Sequence, residues 1–536
     1  MAGKKRWIAP QDAMFLWGET PDTKMHVASL TIFTPPPDAG PTYLRDLQEE
    51  LRHAPVESPW DLKLSHPKLL THPLQSWVRD DDFDIDYHVR RSALASPGDE
   101  RELGILVSRL HSNQLDFTRP PWELHVIEGL EGGRFATYVK VHHALVDGYT
   151  GNQIFSRAMS TDPDDRTHPF FFSLEKPRRE KAPTEVSSLL GQVVGTVTGT
   201  ARGAVSLAGA AADVGANAAK AIASLEVGGR NDADLTNPFS APDTILQRPT
   251  GRNRRFATQQ YDISRLRAIA DASGGTINDV VMAICGAGLR RFLLEQDALP
   301  DKPLVAFMPV NLREEGTEGG GNKVGALLAS MGTDQEDPKA ELEAVIRSTT
   351  GAKGQMAGLG QGAALAYSGY LLAPGAFQVL AALAGLQHNP LPTAFNVCLS
   401  NVPGPREARY LRGARIEATY PVSIPIHGMA LNITLQSYAG TLNLGFVGCR
   451  DAVPSLQHLA VYTGEALQAL EEAYGVGPAA ATKKTPAKTP AKKTSAKKAP
   501  ATKAAKKKAA ATKAATKKQA PAKRTTSKKP ATRKAP

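Results

Sequence analysis

Strand-like patterns of apolar and polar positions occur in both halves of the chain. The segments WELHVIEGL and RFATYVKV are rich in β-branched and aromatic residues and flank the turn sequence EGGR at residues 131–134, which predicts a β-hairpin. The stretch ALNITLQSYAGTLNLGFVG alternates on both sides of the turn YAG at residues 438–440 and predicts a second hairpin. The apolar runs PLVAFMPV and TAFNVCLS predict buried strands.

Three segments show the spacing of an amphipathic or buried helix. Residues 103–110 precede the first hairpin, and SLQHLAVYTGEALQALEEAYG follows the second. In TINDVVMAICGAGLRRFLLEQ the apolar residues share one face, and Thr276 is the expected N-cap. Because strands and helices mix without strict β-α-β alternation, the sequence predicts an α+β fold with mixed sheets rather than a doubly wound dinucleotide-binding fold.

Changes in composition divide the chain into four parts. We expect an N-terminal domain at residues 1–181, a Gly- and Ala-rich linker at residues 182–236, a C-terminal domain at residues 237–478 and a Lys-, Ala- and Pro-rich tail at residues 479–536. The linker has helical spacing and few charges. It therefore either packs between the domains or touches lipid as an amphipathic helix, and the first interpretation is favoured.

Charge is distributed unevenly along the chain. Residues 481–536 contain 20 Lys and Arg and no Asp or Glu, whereas the remaining residues carry 44 basic and 53 acidic side chains, a net charge of −9. The tail lacks apolar side chains for a core, so we expect it to be disordered. Without aromatic residues it cannot stack on bases, which leaves non-specific binding to nucleic acid, polyphosphate or anionic lipid, or a purely solubilising tail.

Residues 354–387 contain no charged side chain but several Gly and Pro, which favours buried helices along an apolar channel over a membrane span.

The N-terminal sequence has no continuous apolar run, so we expect no signal peptide. The three cysteines lie in apolar stretches without CxxC spacing. Buried, reduced thiols are expected, which agrees with a cytoplasmic protein that is not secreted.

The sequence VHHALVDG contains the main candidate for chemistry. His142 and His143 end the second strand of the first predicted hairpin, and Asp147 precedes a predicted helix. Adjacent strand residues point to opposite faces, which argues against a metal site shared by the two histidines, and we expect no metal. No G-x-S-x-G sequence or Cys-His arrangement indicates a nucleophile. A single histidine acting as a general base is favoured, since an unperturbed imidazole has a pKa of about 6.5.

The neighbours of this base have simpler expected roles. His142 is expected to pack in the core, Asp147 to cap the following helix, and Gly148 to occupy a position where backbone passes closely and space is needed. We assign the chemical role to His143 and supporting roles to the other three.

The sequence HHALVDG resembles the HHxxxDG signature of the CoA-dependent acyltransferase superfamily, which includes chloramphenicol acetyltransferase and peptide-synthetase condensation domains. Several other stretches resemble the wax ester synthase/diacylglycerol acyltransferases in particular, from about residue 7 to residue 475 and in the expected order. They are PQDAMFLWGE…MHVASLTIF, RPPWELHVIEG, TINDVV, PVNLR…GGGNKVG and SNVPGP.

This resemblance implies two chloramphenicol-acetyltransferase-like domains that form a pseudo-dimer around a tunnel. It implies that His143 deprotonates the hydroxyl of diacylglycerol or a long-chain alcohol, which attacks acyl-CoA as co-substrate, with no bound cofactor. Asp147 would be structural, with Arg313 as a candidate partner. Asn278 would donate a hydrogen bond near the oxyanion or orient His143, or else it and Asp279 would only cap their helix.

Such substrates imply peripheral association with a membrane or a lipid inclusion. Two other functions stay open on the sequence. One is a catalytically weak lipid-inclusion protein whose basic tail tethers inclusions to DNA or to another anionic surface. The other is a condensation-type enzyme that takes its acyl group from a carrier protein.

Overall fold

The computed structural model describes most of the two predicted domains. The residues that it describes are 5–72, 74–174, 235–311, 324–357, 367–368, 370–371 and 393–477. The predicted linker helix, Arg313, most of the uncharged segment at residues 354–387 and the basic tail lie outside these ranges. In the described part of the chain, no helix is long and apolar enough to cross a membrane.

Fifteen strands and nine helices are described. The strands are Arg6–Trp7 (β1), His26–Thr34 (β2), Leu62–Leu64 (β3), Ser76–Arg79 (β4), Val89–Ala93 (β5), Trp122–Glu128 (β6), Phe135–His142 (β7), Arg254–Asp262 (β8), Val305–Asn311 (β9), Val324–Ser330 (β10), Val397–Val402 (β11), Tyr410–Leu411 (β12), Ala414–Val422 (β13), Leu431–Tyr438 (β14) and Thr441–Cys449 (β15). The helices are Pro10–Trp17 (α1), Tyr43–His53 (α2), Ile85–His88 (α3), Glu100–Ser112 (α4), Gly148–Arg157 (α5), Ile263–Ser273 (α6), Ile277–Leu294 (α7), Pro338–Ala357 (α8) and Leu456–Tyr474 (α9).

Two six-stranded mixed sheets form the framework, which confirms the predicted α+β class with two sheet-rich halves. The first sheet has the order β12-β13-β2-β7-β6-β5 and the second has the order β10-β9-β11-β14-β15-β8. Most neighbours are antiparallel, but β5 is parallel to β6, and β11 is parallel to both β9 and β14. The strand β7 is central in its sheet, and all eight of its residues are buried.

Both predicted hairpins are confirmed. The strands β6 and β7 pair antiparallel around a short turn, as do β14 and β15. The second turn has Ala439 at φ 43° and Gly440 at φ 90°, the left-handed conformation that two-residue hairpin loops of primed type require. The predicted strands β9 and β11 and the predicted helices α4, α7 and α9 are also present.

The first sheet is completed by strands from the C-terminal half of the sequence. The strand β13 pairs antiparallel with β2, and β12 extends the sheet beyond it. Where β15 of the second sheet passes β13, a Cβ atom at Gly445 would lie 1.9 Å from the carbonyl oxygen of Pro421. Glycine at this position therefore allows the two sheets to approach each other closely.

The helix α4 connects the two sheets, because it contacts β7 of the first sheet and β8 of the second. The hydroxyl of Ser108 accepts a hydrogen bond from the amide of Phe256 in β8 at 2.9 Å, and the hydroxyl of Ser112 accepts one from the amide of Arg254 at 2.8 Å. Apolar residues of α6, α7, α9, β14 and β15 form a separate core of the second half. Cys285, Cys398 and Cys449 are buried free thiols, as expected.

Candidate active site

His143 is the first residue after β7, and backbone contacts fix its position. Its amide donates a hydrogen bond to the carbonyl oxygen of Met25 at 2.9 Å, which continues the pairing of β7 with β2 beyond the end of the strand. The imidazole ring stacks on Phe15 of α1, with ring centroids 3.9 Å apart and an interplanar angle of 20°. The ring is partly exposed and lines the large cavity described below. The sequence motif and the N-terminal segment together position this side chain.

His142 points away from the cavity and is fully buried, which confirms that the two histidines face different sides of the sheet. Its Nδ1 accepts a hydrogen bond from the amide of Ala144 at 3.2 Å, so the ring proton is assigned to Nε2. That Nε2 lies 3.6 Å from Oε2 of Glu19, which is too long for a hydrogen bond. His142 therefore stabilises the loop that carries His143.

Asp147 is the N-cap of α5, as expected. Its carboxylate accepts hydrogen bonds from the amide of Thr150 at 2.8 Å and from the hydroxyl of the same residue at 2.9 Å. Side-chain oxygens at this position satisfy backbone donors that the first helical turn leaves open. The cap fixes where α5 begins, and with it the path of residues 143–147. Arg313, its candidate partner, lies outside the described residues.

Gly148 is not held by close backbone packing, so that expectation is wrong. Among the described residues, no heavy atom lies within 4 Å of the position that a Cβ atom would take there. Gly148 also lines the cavity. A side chain at this position would therefore extend into open space rather than clash with the protein, and room for a ligand remains a prediction for this glycine.

A cavity of about 350 Å³ lies between the first sheet and the strands β11 and β14. His143, Asp147 and Gly148 line it together. One wall is largely aromatic and aliphatic; it includes Leu51, Trp60, Leu124, Phe155, Phe170 and Phe171. Polar side chains from other strands line the remainder, among them Ser400 and Asn432. A mostly apolar cavity with a few polar groups beside an imidazole suits a long apolar substrate.

Asn278 and Asp279 lie at the start of α7 and are not among the described residues that line the cavity. Asp279 forms a capping box with Thr276, and its second carboxylate oxygen accepts a hydrogen bond from the hydroxyl of Thr349 at 2.7 Å. Its capping role is confirmed, and it also fastens α7 to α8. Asn278 accepts a hydrogen bond from the side chain of Asn401 in β11 at 2.9 Å. Its role near the oxyanion stays a prediction.

Glu19 was missed by reasoning from the sequence motif. Its side chain is 1% exposed, its Oε2 accepts a hydrogen bond from the amide of Met25 at 2.5 Å, and its Oε1 accepts one from Gln114 at 2.9 Å. Because the carbonyl oxygen of Met25 accepts the hydrogen bond from the amide of His143, Glu19 supports the position of His143 through Met25. The only signal was its place in the N-terminal stretch PQDAMFLWGE, which carries no periodic or spacing information about its role.

Ionisable groups fill the sheet face behind the loop. Lys140 is fully buried, 3.1 Å from Glu123, and it donates to the carbonyl oxygens of residues 110 and 113. Burial lowers the pKa of Lys140. Burial acts to raise the pKa of Glu123, but the hydrogen bond from His125 and the charge of Lys140 outweigh it and lower the pKa to about 2. Burial also lowers the pKa of His111 to about 3, so its ring is neutral. Alternate residues of β7 therefore face an ionic layer on one side and the cavity on the other.

Comparison with known proteins relates most of the chain to one family. A family model described as the wax ester synthase/diacylglycerol acyltransferase catalytic domain matches residues 8–281, and one described as the WS/DGAT C-terminal domain matches residues 320–471. The expected similarity over roughly residues 7 to 475 is confirmed by these matches.

Individual relatives cover the same region. A Mycobacterium tuberculosis protein that is provisionally named a diacylglycerol O-acyltransferase is 52% identical over 495 residues. The match covers 89% of this chain and 99% of the relative. An O-acyltransferase of Acinetobacter baylyi is 34% identical, over 87% of this chain and 97% of its own. The structure of a wax ester synthase/diacylglycerol acyltransferase from Marinobacter aquaeolei is similar with a TM-score of 0.69 at 34% identity, and the match covers 88% of this chain and all of that one.

Proposed function

This chain belongs to the wax ester synthase/diacylglycerol acyltransferase family, and on that premise we propose that it transfers a long-chain acyl group from acyl-CoA to diacylglycerol, with long-chain alcohols as a second class of acceptor. The observation that carries the proposal is the position of His143, whose ring lines an apolar cavity of about 350 Å³. The relatives' names supply the diacylglycerol acceptor and the wax ester product, and the cavity supplies a place for long apolar chains.

His143 is the general base in this mechanism. It takes the proton of the acceptor hydroxyl while the oxygen attacks the thioester carbonyl carbon. The tetrahedral intermediate collapses with cleavage of the carbon–sulfur bond, and the CoA thiolate takes the proton from the imidazolium of His143. The step needs no covalent acyl-enzyme, because the acceptor oxygen attacks the thioester directly. Stacking on Phe15 and the backbone bond to Met25 hold the ring for both proton transfers.

The direct test is acyl transfer by the purified full chain with palmitoyl-CoA. We expect release of free CoA thiol that depends on dioleoylglycerol or hexadecanol, with formation of triacylglycerol or wax ester. The same thiol release without an acceptor product would indicate thioester hydrolysis instead. Acylation only from a carrier-protein thioester, and none from palmitoyl-CoA, would contradict the proposal in favour of a condensation-type enzyme.

We further propose that the enzyme docks on a lipid surface through exposed apolar side chains of the small three-stranded sheet β1-β4-β3 and the loop before β4. Trp7 is 62% exposed, Leu69 52% and Leu74 60%. Trp7 pairs with Ser76 in β4, so it lies beside the loop that carries the two leucines. Trp7 and Leu145 of the HHxxxDG loop also line one small cavity, so this surface adjoins the candidate active site. Exposed aromatic and aliphatic side chains suit the boundary between water and lipid.

This docking surface predicts separable effects on binding and catalysis. The variant Trp7→Ser/Leu74→Ser should bind phosphatidylcholine-coated triolein emulsions at least fivefold more weakly, and it should retain turnover of hexadecanol dispersed in detergent. Val461→Ser is a matched control, because Val461 is 49% exposed on α9. Equal emulsion binding by all three proteins would contradict the docking surface.

For the basic tail, which lies outside the described residues, we propose binding to an anionic surface. Its 20 positive charges would make such binding sensitive to salt. Removal of residues 481–536 should weaken binding to phosphatidylserine vesicles at low salt and leave turnover of dispersed substrate nearly intact. Loss of turnover on the dispersed substrate would instead assign the tail to the catalyst.

A further inference from the structure

Three threonines form a row across the sheet face that lines the cavity. Thr31 of β2 lies opposite Thr137 of β7 on one side and opposite Thr419 of β13 on the other. All three line the cavity that contains His143. They are called the hydroxyl row below. Neighbouring strands are about 4.8 Å apart, so the row places one threonine on each of three adjacent strands of a mostly apolar floor.

The hydroxyl row continues into a polar network that reaches α5. The hydroxyl of Thr419 donates to Oε1 of Gln436 at 3.3 Å, and the amide of Gln436 donates to Oδ1 of Asn152 at 2.7 Å. Asn152 lies on α5, about one turn after Gly148, and it also lines the cavity. The network therefore connects the floor of the cavity with the helix that follows the catalytic loop.

The hydroxyl row has hydrogen-bonding capacity that the protein itself uses poorly. The hydroxyl of Thr419 lies 3.3 Å from those of Thr31 and Ser29, whereas hydroxyl hydrogen bonds are typically about 2.7–2.8 Å long. Thr137 is 6% exposed, and its hydroxyl makes no hydrogen bond to any residue in the described part of the chain. The hydroxyl of Thr137 lines the cavity, so it can donate a hydrogen bond to an acceptor oxygen of a bound ligand.

The chemistry of the row discriminates between the two acceptor classes of the proposed function. A long-chain alcohol has one oxygen, which must face His143, and its hydrocarbon chain gains nothing from hydroxyl groups. In diacylglycerol, two of the three glycerol carbons carry ester groups and the third carries the free hydroxyl. The carbonyl oxygens of those esters accept hydrogen bonds. Building on the proposed function, we propose that the hydroxyl row binds the ester carbonyls of a partial glyceride and so favours diacylglycerol as the acceptor.

The test compares two acceptors in variants that exchange a hydroxyl for a methyl group of similar shape. In the full chain, Thr137→Val should lower kcat/KM for dioleoylglycerol about five- to tenfold, mainly through KM, and should leave kcat/KM for hexadecanol within twofold. Thr419→Val should act in the same direction. The control is Thr34→Val, since Thr34 is on β2 outside the cavity and bonds to Glu417 at the exposed end of the strand. Thermal unfolding of each variant excludes loss of fold as the cause.

Each other outcome has a distinct meaning. Unchanged kinetics with both acceptors would overturn the glyceride subsite while acyl transfer stands. Equal losses with both acceptors, together with a raised KM for palmitoyl-CoA, would assign the row to the amide groups of the CoA arm and also overturn it. A wild-type chain that acylates hexadecanol alone would contradict the subsite and the choice of diacylglycerol as acceptor, while acyl transfer from acyl-CoA stands. A wild-type chain that acylates neither acceptor would contradict the proposed function itself.

Discussion

At the scale of single residues, the position of His143 in the loop at residues 143–147 depends on groups that lie far away in the sequence. The backbone of Met25 holds the amide of His143, and the carboxylate of Glu19 holds the amide of Met25. The ring of Phe15 covers one face of the imidazole. The motif HHxxxDG thus supplies the proposed base His143 and the cap of α5 at Asp147, while an N-terminal segment more than a hundred residues away fixes the orientation of His143.

A substitution at Glu19 should reduce catalysis through this arrangement. Hydrogen bonds to a charged group contribute about 1.5–3 kcal/mol, so Glu19→Gln should lower kcat roughly tenfold or more, with KM for palmitoyl-CoA changed less than twofold. Steady-state kinetics at several pH values measure both effects. Gln114→Met is the control, since it removes only the contact with Oε1 of Glu19. Similar kcat values for wild type and Glu19→Gln would contradict the positioning role.

At the scale of helices and strands, local pattern predicted the elements and distant contacts decided how they combine. Thr276 and Asp147 were predicted as N-caps because a side-chain acceptor before an apolar face satisfies backbone donors locally. The pairing of β13 with β2 could not be predicted, because it joins residues nearly 400 positions apart. Gly148 was interpreted wrongly for the same reason: close packing at a glycine depends on the tertiary neighbours, which the local sequence does not contain.

Two glycines test this account of the packing between elements. Gly445→Ala should lower the free energy of unfolding by about 1–3 kcal/mol, because a Cβ atom would overlap the Pro421 carbonyl of the facing strand. Gly464→Ala in α9 should be neutral or stabilising by up to about 1 kcal/mol, since the nearest atom to its Cβ would be Nε2 of Gln259 at 3.7 Å and alanine favours helix. Denaturant unfolding monitored by circular dichroism compares them. Equal effects of the two substitutions would contradict the close approach of β13 and β15.

At the scale of the whole molecule, buried ionisable groups set the pH range in which the fold is stable. Burial lowers the pKa of His111 to about 3 and that of His88 to about 4, both below the usual 6.5. The unfolded chain therefore binds more protons than the fold below pH 6.5, so stability falls as the pH decreases from 6.5 toward these values. Burial raises the pKa of Glu341 to about 9, so the fold keeps a proton there that the unfolded chain loses above about pH 4.5. The contribution of Glu341 to stability therefore falls as the pH rises from 4.5 to 9, and it opposes the contribution of the two histidines between pH 4.5 and 6.5.

The alkaline part of this profile should depend on Glu341. Glu341→Gln imitates the protonated carboxyl, so its stabilising effect relative to wild type should be at least about 1 kcal/mol larger at pH 8 than at pH 5. Thermal and denaturant unfolding at the two pH values give this difference. A constant difference between the proteins from pH 5 to pH 8 would show that Glu341 is ionised in the fold.

The whole account depends on His143 acting as the base in an acyl transfer. The most direct measurement is the rate of palmitoyl transfer from palmitoyl-CoA to dioleoylglycerol and to hexadecanol by wild type, His143→Gln and the control His458→Ala, an exposed histidine of α9. We predict that His143→Gln retains the thermal unfolding profile of wild type and loses about 10²–10⁴-fold in kcat with both acceptors, while His458→Ala equals wild type. Rates for a folded His143→Gln within threefold of wild type would contradict the general-base mechanism.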